Sequence, residues 1–287
     1  RGFGGVGAFQ VDEVQKYPKA FELIKLAIDR VKIPGRFLLT GSVRFSQKKS
    51  IRESLTGRTA PFELLPLSIA ECHEKPASTF LTEVLEKTPA QFLAQRKKKV
   101  WATFSQMEQY QMTGGLPGIC FKSNSKVRSK LFEQHLDTLL GRDIRLLLDT
   151  KLRTSELRDM LSILFSQQGL PITLASMARQ FGYSAPTIRR MVDAFEGLFL
   201  IRQVGDTYYA EDQGLAHFCS QILSMNPRSR WLGLLHNEIH CQITLMEAGL
   251  RLAEYRTRGG AEVPFVIHIP GNTMIAMTLD AKERVSE

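Results

Sequence analysis

The chain has 287 residues, enough for two or three compact units, and its 43% hydrophobic and 23% charged composition supplies a core and excludes disordered and fibrous classes. No apolar run is long enough to cross a bilayer and the first residues lack the charged-then-apolar layout of a secretory signal, so the expectation is a cytoplasmic protein with no membrane partner. A formal charge of +9 favours polyanionic partners such as nucleic acid and says nothing about fold. Cys72, Cys120, Cys219 and Cys241 lie far apart and form no C-x-x-C pair, which reads as reduced thiols.

In chain order, the opening "RGFGGVGAFQVDEVQKYP" sets Gly2, Gly4 and Gly7 in the letters of G-x-G-x-x-G. A dinucleotide fingerprint needs a strand before the glycines and a helix after them, whereas here the apolar "VGAF" follows, and the lysine of a Walker loop is missing. The stretch reads as a loop feeding a strand. From Pro18 to Val31, "PKAFELIKLAIDRV" lines up Phe21, Ile24, Ala27, Ile28 and Val31 on one helical face. "RFLLTGS" reads as a short strand, and after a basic stretch from Arg44 to Arg58, "APFELLPLSIAE" reads as a strand leading into a helix near Glu71. Strand, helix and strand in this order indicate an α/β unit with parallel strands.

Residues from about Pro76 to Ser155 carry helical patterns broken by "TGGLPG", with Leu131, Leu139, Leu140, Ile144 and Leu147 as an apolar stripe, and read as a helical lid or bundle. The run "QRKKKVW" from Gln95 to Trp101 is either a solvated helix face or a phosphate-contacting patch. From Glu156 to Ala210 a helix precedes "PITLASMARQFG" and "YSAPTIRRMVDAFEGL", a helix-turn-helix pattern capped by Ser184, followed by two strands around a Gly205-Asp206 turn. Ala175, Met177, Ala178 and Phe181 are expected to pack on Ile188, Met191 and Val192, leaving Thr187, Arg189 and Arg190 as candidate nucleic-acid contacts. Such winged helices also serve as protein-protein modules, so DNA and a protein client both stand as partners. From Leu215 the chain reads as a helix and then strands with turns at Gly259-Gly260 and Pro270-Gly271.

Adjacent carboxylates at a strand end, Asp12 and Glu13, are what metal-assisted phosphoryl transfer uses, and also what a helix N-terminus favours. "HNEIH" sets His236 and His240 one helical turn apart with Glu238 between them. A zinc protease pair places its glutamate beside the first histidine, so these read as ordinary helix residues.

The order of "VDEVQKYP", an amphipathic helix, "RFLLTGS", "SIRESLTGRTAPFELLPLSIAE", "GGLPG", "GRDI" and "YRTRGGAEVPFVI" resembles a family of prokaryotic AAA-type ATPases. In that family the ATPase module joins a winged helix and a restriction-endonuclease-like fold. The resemblance implies an α/β plus α chain with four parts. These are a partial P-loop NTPase (AAA+) α/β domain over 1–74, a helical lid over 75–155, a winged helix-turn-helix over 156–212 and a degenerate restriction-endonuclease-like α/β domain over 213–287. It implies ATP and Mg²⁺ as cofactors of intact relatives, with Asp12 as the Walker B metal ligand, Glu13 as the water-orienting glutamate and Thr40 or Ser42 as the sensor group. Arg58 corresponds to an arginine that stabilises the transferred phosphoryl group, in cis or from a neighbour, its other reading being a surface ion pair.

In the family the phosphate loop lies several tens of residues before the Walker B strand, so Gly2 to Gly7 are in the wrong place and no cofactor-binding loop is expected in this chain. The expectation is an incomplete ATP-binding protein that neither binds nor hydrolyses ATP as given. The alternative is an ATP-independent winged-helix module for DNA or protein. Relatives read Glu-Val-Asp-Phe and later Glu-x-Lys where this chain has Glu262-Val263-Pro264-Phe265 and "MTLDAK", with Thr278 and Asp280 at the later motif and Lys282 out of register. Glu238 corresponds to a family glutamate facing the nuclease-like pocket. Losing a carboxylate to Pro264 removes a metal ligand, so no nuclease activity is expected. AAA-type modules often form rings, and the oligomeric state stays open.

Overall fold

The structure is a computed structural model that describes residues 8–44, 57–96, 102–150, 152–221, 223–246, 249–257, 259–271 and 273–279. Gly2, Gly4, Gly7, most of the basic stretch after Arg44, residues 97–101 of the basic run, Asp280 and Lys282 lie outside the described residues. Within them the fold is mixed α/β, with twelve α-helices and three small sheets.

Strand β1 (Phe9–Val11) pairs in parallel with β2 (Phe37–Leu39), and helix α1 (Pro18–Arg30) makes the crossover. Pro18 opens α1 at a position whose N–H would be unpaired anyway. Phe21 packs with Val14 and with the partly buried Val11 and Leu39, which seats the helix on the strands. Val31 is extended, outside α1 and half exposed, so the apolar face stops one turn short of the expected one. The strand expected within residues 60–68 does not form. Pro61 and Pro66 supply no N–H for a ladder, and Phe62 and Leu64 are exposed, so the apolar letters face nothing they could pair with. Ser68 and Glu71 then form a capping box on the short helix α2 (Ile69–Cys72).

Helices α3 (Phe80–Glu86), α4 (Pro89–Arg96), α5 (Phe104–Thr113), α6 (Pro117–Cys120) and α7 (Ser125–Gly141) follow. The apolar stripe continues past α7 into a 3-10 turn, Asp143–Leu146, which carries the buried Ile144. Next come α8 (Thr154–Ser166), α9 (Leu174–Phe181), α10 (Ala185–Gly197) and an antiparallel hairpin of β3 (Ile201–Val204) and β4 (Thr207–Ala210). Ser184 accepts the N–H of Thr187 and caps α10. Met177 packs with Ile188, Met191 and Val192 as expected, whereas Ala175 is exposed.

One apolar cluster runs from Val43 and Ile119 through Leu136, Phe165 and Phe195 to Cys219. It crosses the boundaries at 155/156 and 212/213 without a break, because α8 buries Leu157, Leu161 and Phe165 among partners from both sides. Each such side chain contributes about 1.5–3 kcal/mol of burial.

Past a separate helix, α11 (Gln213–Ser220), the helix α12 (Pro227–Met246) leads into an antiparallel meander of β5 (Arg251–Arg256), β6 (Glu262–Ile269) and β7 (Thr273–Met277). The β5/β6 register shifts between Ala253 and Tyr255, which places Pro264 in a bulge where its missing N–H costs no ladder bond. A second core joins this sheet and α12 to Leu81, Val204 and Tyr209. Among the described residues no helix is long and apolar enough to cross a membrane.

Candidate functional site

Two backbone hydrogen bonds set the geometry at the carboxyl ends of β1 and β2. Thr40 donates its N–H to Val11 at 3.0 Å and accepts the N–H of Val14 at 3.1 Å, so the Asp12-Glu13 turn is pinned opposite Thr40. The Thr40 hydroxyl donates to Asp12 Oδ1 in a short contact, and the same oxygen accepts the Glu13 N–H at 3.0 Å. Glu13 sits in the left-handed region at φ 49°, a conformation that costs a side-chain-bearing residue about 1 kcal/mol and that clusters at functional sites. Its Oε2 accepts Gln15 Nε2 at 2.7 Å and the Ser42 hydroxyl at 3.3 Å, and pairs with Lys16 Nζ at 3.1 Å. Gln15 also donates to Ser42 Oγ at 3.1 Å.

The structure thus brings Asp12, Glu13, Thr40 and Ser42 together. Gln15 and Lys16 complete the cluster, and their signal in the sequence was only the polar pair two and three residues past Glu13. Arg142 of the "GRDI" turn contributes only at longer range. It pairs with the buried Asp143 at 2.7 Å, and its charge lies within the field of Glu13.

Arg58 goes elsewhere. It forms a two-point pair with Asp29 at 2.8 and 3.2 Å and holds that carboxyl below its usual range. At about 1.5 Å per residue, Asp29 lies about 16 Å along α1 from Pro18, at the opposite end from Glu13. Within this chain Arg58 is a surface ion-pair partner.

On α10, Arg189 and Arg190 are exposed, Arg189 donating to Gln203 of β3 at 3.2 Å, while the Thr187 hydroxyl is engaged with Ser184 at 2.8 Å. The hairpin turn is docked, with Asp206 N–H donating to Glu254 of β5 at 2.7 Å.

Glu238 and Glu262 do not converge. Glu238 is buried and accepts the N–H of Ile69 at 2.9 Å, whereas Glu262 pairs with Arg256 at 2.6 Å and with Arg228, about 15 Å away along α12 from Glu238. Burial pushes the Glu238 carboxyl up to about 7. His236 is fully buried and stacks on Tyr209 at 4.1 Å, and burial holds it well below its usual range, with His240 down to about 3. Among the described residues no three His, Cys, Asp or Glu side chains are grouped to hold a metal.

Residues 5–73 match a family described as an AAA domain, and residues 105–216 match one described as a domain of unknown function (DUF8612). Similar curated proteins include the uncharacterized protein Mb2031c of Mycobacterium bovis and the uncharacterized protein Rv2008c of Mycobacterium tuberculosis. Each is 23% identical over 285 residues, covering 92% of this chain and 57% of the relative. The chain therefore spans somewhat more than half the length of these relatives. No solved structure matches it. The strand-end cluster falls inside the segment that matches the AAA domain family.

Proposed function

We propose that Asp12, Glu13, Thr40 and Ser42 form the carboxylate-and-sensor half of a nucleoside triphosphate hydrolysis site. The observation that carries the reading is the contact of both carboxylates with hydroxyls just past the end of the neighbouring parallel strand β2, at the strand ends where α/β sheets bind ligands. Among the described residues no hydrogen bond reaches Asp12 Oδ2, and an oxygen donor set of carboxylate and hydroxyl fits Mg²⁺. Bound there, the metal would neutralise charge on the transferred phosphoryl group. Gln15, Lys16 and Ser42 hold Glu13 by Oε2, which leaves Oε1 to orient the attacking water.

No G-x-x-x-x-G-K-[ST] occurs in the 287 residues, so the amides and lysine that cradle the phosphates have to come from outside them. Titration of the chain with labelled ATP in Mg²⁺ should show no micromolar binding and no phosphate release. Micromolar affinity in this chain would overturn the expectation that the phosphate cradle comes from outside these residues. In a longer form that supplies a phosphate loop, Glu13→Gln should slow phosphate release by about 100-fold while nucleotide still binds.

A second reading rests on the exposed Arg189 and Arg190: helices α8 to α10 with the hairpin act as a winged helix that recognises a partner without ATP. The hairpin turn is held on Glu254 through the Asp206 N–H, which supports a protein client over duplex DNA. A gel-shift titration against salt tests this, since duplex binding weakened by Arg189→Ala and Arg190→Ala would restore DNA as the partner. On the restriction-endonuclease-like reading of α12 and the meander, the separation of Glu238 from Glu262 and the bulge at Pro264 support a site without cleavage chemistry.

A further inference from the structure

We propose that Arg44 is a positioning residue for the carboxylate site, clamped by the hairpin unit so that Ser42 stays against Glu13; this rests on the hydrolysis reading of that site. Ser42 touches Glu13 on one side of the loop after β2, and the next two residues are locked on the other side. Val43 is 2% exposed and sits in the large core with α7, α8 and α10. Arg44 is 8% exposed, and its N–H donates to the carbonyl of Gly197 at the end of α10 at 2.8 Å.

The Arg44 guanidinium lies 4.6 Å from the Phe199 ring, pairs with Glu63 at 3.3 Å and makes a short contact with Glu211. Arg202 of β3 ties the same two carboxylates together, at 2.7 Å to Glu63 and 2.9 Å to Glu211. Phe199 holds its ring there from a left-handed backbone at φ 56°, a conformation an aromatic residue adopts only under constraint. Removing one partner from a buried ionic cluster leaves uncompensated charge, so the cluster resists partial opening.

Adjacent Cα atoms are about 3.8 Å apart, so two fixed residues leave Ser42 little room to leave Glu13. The placement of the glutamate carboxylate therefore depends on α10 and the hairpin, more than 150 residues later in the chain. Binding free energies couple reciprocally, so anything that shifts the end of α10 alters the hydroxyl that holds Glu13.

Hydrogen exchange on the 287-residue chain tests this without nucleotide. Arg44→Met should speed exchange in residues 9–16 and 37–43 by about tenfold, leave α7 and α8 protected, and be partly rescued by Arg44→Lys. In a Ser42→Ala background Arg44→Met should add nothing at residues 9–16, which a merely structural role for Arg44 would not produce. Unchanged protection at 9–16, or a loss spread evenly over the core, overturns the proposal. Because no ATP enters the measurement, its failure is separate from a failure of the hydrolysis reading, which the Glu13→Gln phosphate assay judges alone.

Discussion

A Cβ at Gly115 would lie 2.0 Å from the carbonyl oxygen of Leu67, so the second glycine of "TGGLPG" is there to let two backbones touch. The same segment gives its Gly115 N–H to Asp212 at 2.7 Å, and Asp212 also takes the N–H of Leu215 at 2.7 Å. Burial pushes the Asp212 carboxyl up to about 6 despite these bonds. Gly115→Ala should cost about 2–3 kcal/mol or more in urea unfolding, since the obstacle is backbone. Glu238 offers a pH test. Its folded value of about 7 is above the usual 4.5, so the ionised form is penalised on folding, and its contribution to stability falls as pH rises through about 4.5 to 7. Buried neutral histidines act in the opposite direction, so the informative quantity is a difference. Glu238→Gln should gain roughly 2 kcal/mol relative to the parent between pH 5 and pH 8 in denaturant midpoints. The pair Asp12-Glu13 stands out in the sequence because two carboxylates lie in adjacent letters at the end of an apolar run. Arg44 does not, because Glu211 is 167 positions away and nothing local marks a buried arginine.

At the scale of elements, the hairpin was legible from Gly205-Asp206 between apolar runs, whereas its docking was not, because Glu254 comes from a different sheet. A Cβ on Gly205, itself at φ 57°, would come within 2.5 Å of the Glu254 carboxylate, which shows how closely the turn is held. Glu254→Ala should raise exchange of the Asp206 and Thr207 amides by about tenfold with α8 unchanged. The strand expected within 60–68 fails for a physical reason: apolar letters make a strand only where a neighbour can pair with its backbone, and Pro61 and Pro66 each remove a donor from the segment. The break between α11 and α12 was hidden because apolar residues continue on both sides of it, and only Pro227 marks the new start.

For the whole molecule, the expected seams at 155/156 and 212/213 run through packed interior. The periodicity of each helix was readable, yet which helices share an interior depends on contacts between distant segments, such as Leu81 with α12 or Tyr209 with Phe265. A fragment beginning at residue 156 would expose the faces of α8 that pack on Leu136, Leu139 and Leu140. Expressed alone it should bind the dye ANS and melt without a cooperative transition, while the intact chain shows one.

This continuity bears on how such a chain can be inherited. Genes exchange segments most safely where few side chains meet across the cut, and the interior from Val43 to Cys219 offers no such place among the described residues. The β1-α1-β2 unit has a small interior of its own around Val14 and Phe21. It is the part that a related gene could replace, and the replacement would fit only if it brought an apolar residue and an arginine immediately behind the position of Ser42, to be received by Glu211 and the end of α10.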